Sequence, residues 1–141
     1  MTSQPLRLNF PGHSGASLSA RLDLPNGPVR AYALFAHCFT CSKDLAAVRR
    51  IAAELARVGI AVLRYDFTGL GSSEDEFSST SFSSNVVDLV SAADCMRRHF
   101  EAPSVLIGHS LGGTAVLSAS KQILETRAVV TIGAPQTPAT C

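Results

Sequence analysis

Gly108-His109-Ser110-Leu111-Gly112 is the run of residues in this chain most able to do chemistry. A serine hydroxyl is a weak nucleophile until its surroundings activate it. Here the serine directly follows the apolar run Val105-Leu106-Ile107 and directly precedes Leu111 to Ser120, which reads as a helix. Strand, sharp turn, helix is the context in which G-x-S-x-G lifts a serine Oγ clear of a sheet. Gly108 and Gly112 flank the serine because a side chain at either place would crowd the turn. The helix start behind Ser110 offers free N–H groups and positive potential to a developing oxyanion. Ser110 is therefore the candidate nucleophile; the alternative is a Gly-rich turn that only packs tightly. Two phosphate-binding patterns fail on the letters. No G-x-x-x-x-G-K-[ST] is present, and Gly69-Leu70-Gly71 lacks the third glycine of G-x-G-x-x-G.

Such a serine needs elements to hold it. Leu6-Arg7-Leu8 and Ser17 to Leu24 read as two strands around the turn Pro11 to Gly15, and the period-two alternation of the second predicts one wet face. Ala31 to Ala36, Ile60 to Leu63, Val105 to Ile107 and Ala128 to Ile132 are short apolar runs, as expected of strands covered on both faces. Leu45, Val48, Ile51, Leu55 and Val58 recur at helical spacing, and Gly59 ends that helix. Asn85 is an expected N-cap with Asp88 at the third helical position, ahead of an apolar stripe of Val86, Leu89, Ala93, Met96 and Phe100. Strands alternating with helices predict a parallel sheet with an antiparallel hairpin at its N-terminal edge. In such sheets ligands bind beyond the carboxyl ends of the strands. That places His37 to Cys41, Asp66 to Ser72, Gly108 to Gly113 and Gly133 to Pro135 at the functional end.

Composition narrows the partners. At 141 residues the chain is expected to form one domain, 1–141. Twelve basic against eleven acidic residues leave a formal charge of +1, which gives nucleic acid or an anionic membrane surface nothing to grip. No apolar run approaches the ~18 residues of a membrane span, and Met1 to Phe10 shows no secretory apolar core, so a cytoplasmic location is the expectation. Cys38 and Cys41 form a C-x-x-C. No second pair exists to complete a zinc site, and reduced thiols are favoured over a redox motif. Neither metal nor organic cofactor is expected.

Three segments carry a family resemblance. Phe35-Ala36-His37-Cys38-Phe39 resembles the His-Gly-Phe oxyanion loop of α/β-hydrolases. Arg64-Tyr65-Asp66-Phe67-Thr68-Gly69-Leu70-Gly71-Ser72-Ser73 resembles that family's D-x-x-G-x-G-x-S segment, and Gly108 to Gly113 its nucleophile elbow. They occur in the family's order. His-Cys-Phe-Thr-Cys-Ser-Lys-Asp, with Asp-Phe-Thr-Gly-Leu-Gly, is similar to the hydrolase half of bacterial hydrolase/OsmC fusion proteins. The resemblance implies a three-layer α/β/α fold carrying about the first six strands of an α/β-hydrolase, the N-terminal part of that domain. It implies an ester or related acyl hydrolase acting on small molecules, with Ser110 as nucleophile. The N–H groups of Leu111 and Phe39 would hold the oxyanion. Gly108, His109, Gly112 and Gly113 would form the elbow, His37 would brace the oxyanion loop, and Asp66 would hydrogen-bond its own loop. Cys38 stands where the family usually has glycine.

The triad is incomplete in these letters. In this fold the order is serine, acid, histidine, yet the only carboxylate side chain after Ser110 is Glu125, and no histidine follows. A Ser110–His37 dyad is the minor alternative; His109 is expected to pack beside the sheet, and His13 and His99 to lie at the surface. A second reading therefore stands beside the hydrolase: a catalytically inactive fragment or interaction module. Ala128 to Ile132 is expected to be an open, apolar edge, with Val129 and Val130 less covered than Leu106 and Ile107, and self-association through it is possible.

Overall fold

A computed structural model of the chain describes residues 4–37, 43, 45–66 and 82–133. Its elements are β1 (Leu6–Pro11), β2 (Ser17–Asp23), β3 (Ala31–Ala36), α1 (Ala46–Arg57), β4 (Ile60–Tyr65), α2 (Phe82–His99), β5 (Val105–His109), α3 (Leu111–Ala119) and β6 (Ala128–Ile132). The strands form one sheet in the order β1-β2-β4-β3-β5-β6. β1 and β2 are antiparallel to each other, and β2 is antiparallel to β4. β4, β3, β5 and β6 run parallel. The hairpin thus borders a parallel sheet, as the sequence pattern predicts.

Side chains alternate across the sheet, so each strand feeds two cores. Ala33, Phe35, Val62 and Ile107 meet Val48 and Ala52 of α1 on one face. Leu34, Leu63 and Leu106 meet Leu89, Ala93 and Met96 of α2 and Ala115 and Val116 of α3 on the other. Three layers result. Helix α1 buries Val48, Ala52 and Ala56; of the expected stripe only Val48 is fully buried, Ile51 and Leu55 are half-buried, and Leu45 and Val58 fall on its two caps and stay exposed. Gly59 closes it at φ +95, a backbone that L side chains rarely adopt.

Two local expectations are corrected by tertiary partners. Helix α2 begins at Phe82, so Asn85 is not its N-cap; Asn85 and Asp88 are buried within it. The Asp88 carboxylate accepts the backbone N–H of His13 at 2.8 Å and lies 3.0 Å from the His13 ring. His13 is therefore a clasp between the β1–β2 turn and α2 rather than a free surface residue. Burial holds the Tyr65 phenol well above its ordinary pKa, and the Asp88 carboxylate pushes the same way. The face of β2 expected to be wet is covered at Ser19 and Asp23. Asp23 is tolerated there because Arg64 Nε donates to it at 2.8 Å.

β6 ends the sheet. Val130 is 45% exposed and Val129 half-buried, against 0% for Leu106 and 5% for Ile107 in the neighbouring strand. The contrast expected between those strands is present. Among the described residues, no helix is long and apolar enough to cross a membrane, and no group of His, Cys, Asp and Glu could hold a metal ion.

Candidate functional site

Parallel register brings the ends of three strands together. Ala36 lies opposite Gly108, and Phe35 lies opposite both Arg64 and Ile107. His37, Asp66 and Ser110 therefore stand at one end of the sheet, the carboxyl end, where ligands bind in such folds.

Ser110 occupies the turn from β5 into α3 with φ 57 and ψ −124. Among the described residues it alone, apart from glycines, has a positive φ. A backbone of this kind costs on the order of 1–3 kcal/mol and persists only where the surroundings force it. The forcing contacts are identifiable. Ser110 N–H donates to Ile132 O at 2.8 Å, and its carbonyl accepts Gly113 N–H at 2.9 Å. A Cβ on Gly108 would collide with Gly112 O and Gly113 Cα, and a Cβ on Gly112 would collide with Ala36 O. No larger residue fits at either place, as the sequence argument requires.

Serine at a helix N-cap ordinarily bonds back to the first turn. Ser110 makes no such bond, and its Oγ has no hydrogen-bond partner among the described residues. The N–H groups of Leu111 and Gly112, the first of α3, likewise meet no acceptor there. Among the described residues, then, the hydroxyl at the positive end of this helix is not engaged, an arrangement that can attack a carbonyl and hold the resulting oxyanion. Phe39, the expected second donor, lies outside the described residues, as do Cys38 and Cys41.

At the same end of the sheet, after β4, is a buried ionic cluster. Asp66 Oδ1 accepts Lys43 N–H at 2.7 Å, and Lys43 Nζ donates to Asp66 Oδ2 at 2.9 Å. His37 Nε2 lies 3.4 Å from Asp66 Oδ1. Arg64 donates to Lys43 O at 2.7 Å and to Asp23 Oδ2 at 2.8 Å. Two carboxylates face two cations, so the group can stay charged away from water. Asp66 and His37 stand out in the sequence as site candidates; Lys43, Arg64 and Asp23 do not. One signal was available: Arg64 interrupts the buried run Ile60 to Tyr65, and a buried arginine implies a partner.

The remaining candidates separate. His37 is buried and engaged on the β4 side, whereas Ser110 stands on the β5 side; among the described residues no hydrogen bond joins them. His109 ends β5 and is half-buried. Glu125 precedes β6, and the N–H of Arg127, two residues on, donates to Ser104 O, just ahead of β5. Glu125 therefore lies at the amino end of the sheet, opposite Ser110. Both its oxygens accept from Arg97 at 2.7 Å, and that pairing lowers its pKa to about 2.

Comparison with known proteins gives the family and the fold. The family profile described as serine aminopeptidase, S33, matches residues 28–138. The esterase domain of a Rhodothermus marinus protein is 48% identical and superposes with a TM-score of 0.79, covering 97% of this chain and 53% of its own. An α/β serine hydrolase without lid from Xanthomonas campestris is 26% identical at TM-score 0.80, covering 94% of this chain and 62% of its own. A Pyrococcus furiosus esterase shares the fold at 20% identity and TM-score 0.82, covering 94% of this chain and 50% of its own. The chain thus spans about half the length of the solved structures it matches. A search of curated proteins gave no significant match.

Proposed function

Because the chain belongs to the serine aminopeptidase S33 family of α/β-hydrolases, we propose that it supplies the nucleophile-bearing part of a serine hydrolase acting on small ester or related acyl substrates. The observation that carries this reading is Ser110, strained at φ 57 with an Oγ that does not cap its own helix. In the reaction, Ser110 Oγ bonds to the substrate carbonyl carbon and gives up its proton to a base. The carbonyl oxygen becomes an oxyanion held by the N–H of Leu111 and, by the family resemblance, that of Phe39. Collapse of this intermediate expels the alcohol or amine and leaves an acyl group on Ser110, which water removes. The buried cluster at Asp66 lies two strands from Ser110, ~10 Å away at the usual strand spacing, so it supports the site rather than touching the reacting atoms.

A second reading has its own observation. Among the described residues no histidine ring meets Ser110 Oγ, and Glu125 sits at the other end of the sheet. This favours a module that binds without turning over. One experiment separates the two. The chain is incubated with a fluorophosphonate that reacts with activated serines and with a p-nitrophenyl ester. Labelling at Ser110 that disappears in Ser110→Ala supports the hydrolase, with ester turnover no more than about 10³–10⁴-fold above water in the absence of a paired base. Ester hydrolysis unchanged in Ser110→Ala would sink it. A folded chain with no labelling at all supports the non-catalytic module.

A further inference from the structure

We propose that Ile132, through its backbone carbonyl, is a positioning residue for Ser110, a role that rests on Ser110 being the nucleophile. The docking of the open edge strand β6 then sets how reactive that serine is. Register decides which groups of β6 face β5. Ser110 N–H donates to Ile132 O at 2.8 Å, and Ala128 N–H donates to Ser104 O at 3.1 Å. Along a parallel ladder such groups recur at every second residue. Ala128, Val130 and Ile132 therefore bond to β5, while Val129 and Thr131 turn their N–H and C=O groups to the open side. Ile132, paired with His109, is the last of the bonding set. Gly133 follows at φ +61 and takes the chain out of strand geometry. The bond to Ser110 is thus the final rung of the ladder, on a strand exposed at four of its five residues.

Two bonds hold the two peptide planes that meet at Ser110. Its N–H on Ile132 O fixes the plane before it. Its carbonyl, accepting Gly113 N–H at 2.9 Å, fixes the plane after it. Together they impose φ 57 and ψ −124, a backbone that serine does not adopt unforced. The second bond belongs to the first turn of α3 and lasts as long as that helix. The first depends on β6 alone. When it opens, the plane between His109 and Ser110 is free to rotate. A serine ahead of a helix then relaxes to the extended backbone in which its Oγ accepts from the N–H groups of the first turn. An Oγ spent on its own helix is turned away from a substrate carbonyl. The docked tip of β6 therefore keeps the hydroxyl from capping α3.

Two proline variants one residue apart separate this role from general damage. In Ile132→Pro the ring replaces an N–H directed at β5. In Thr131→Pro it replaces one directed at the open edge, where strands tolerate proline. For each chain, hydrogen exchange follows the Ser110 amide, with the amides of β3, inside the sheet, as the reference for global opening. Fluorophosphonate labelling kinetics follow the Ser110 hydroxyl. Ile132→Pro should speed exchange at Ser110 and lower the maximal labelling rate, each by on the order of tenfold, the effect of one lost hydrogen bond. The reagent concentration at half-maximal rate and the β3 amides should stay as in the wild type. Thr131→Pro should match the wild type in both readouts. A Ser110 amide that exchanges in the wild-type chain like that of an unstructured peptide would overturn the proposal, whatever the variants do. So would labelling that survives Ile132→Pro intact, equal effects of the two prolines, or a loss of β3 protection in Ile132→Pro. A wild-type chain left unlabelled, whose Ser110 amide still responds to Ile132→Pro and not to Thr131→Pro, upholds the fastening by Ile132 and removes only the role of Ser110 as nucleophile.

Discussion

Replacing Gly112 by alanine should damage the protein, although alanine is the better helix former. Gly112 is the second residue of α3, where propensity alone would favour alanine by ~1 kcal/mol. The structure reverses the sign. The added Cβ would sit 2.5 Å from His37 O and collide with Ala36 O, whereas an ordinary contact is ~3.5 Å. Relief needs α3 and the end of β3 to separate by about 1 Å, and both are backbone with no rotamer to yield. Overpacking of this kind costs about 1–3 kcal/mol, and the upper end applies where backbone meets backbone. The expected net loss is about 2 kcal/mol, or roughly 7 °C in Tm for a chain of this size. The matched control is Gly27→Ala. Its Cβ would meet nothing within 4 Å, so the shorter list of unfolded conformers should make it neutral or stabilising by up to ~1 kcal/mol. Urea and thermal unfolding of the two variants provide the assay. A Gly112→Ala chain as stable as Gly27→Ala would refute the close approach between α3 and β3 from which the Ser110 geometry follows.

The pairing of Glu125 with Arg97 lowers the Glu125 carboxyl from 4.5 to about 2. A lowered folded-state value contributes stability above pH 4.5 that is lost as pH falls toward 2. Glu125→Gln should therefore lose this part of the acid dependence, while a carboxyl NMR titration of the wild type shows Glu125 still ionised at pH 3.5. Along the sheet edge, Leu106→Ala should cost about 2–5 kcal/mol in urea unfolding. Val130→Lys should stay within ~0.5 kcal/mol yet reduce association seen by light scattering, because a charge on an edge strand opposes strand-to-strand pairing. Equal scattering from wild type and Val130→Lys would remove β6 as the associating surface.

Much of this was legible in the letters because it depends on neighbours in the chain. The short apolar runs, the alternation of strand and helix and the G-x-S-x-G turn are local patterns, and their physical meaning is local: period, breaker and steric room. Ser110 could be singled out because glycines at 108 and 112 are demanded by a turn spanning five residues. What stayed hidden depends on partners far along the chain. Asn85 and Asp88 have the letters of a helix start, yet Asp88 is buried where His13, 75 residues away, donates its backbone N–H to it and sets its ring 3.0 Å away. Ser19 and Asp23 alternate as a wet face should, yet both are buried, and Asp23 is held by Arg64 from the neighbouring strand. Lys43 reads as a loop lysine, and only the register of β3 against β4 brings it onto Asp66. Period and propensity record which way a side chain points from its own element. Whether a charge found there meets water or a counter-ion is decided by which other element arrives, and for Asp23, Lys43, Arg64 and Asp66 that was settled by the packing of three separate segments: the end of β2, the chain at Lys43 and the end of β4.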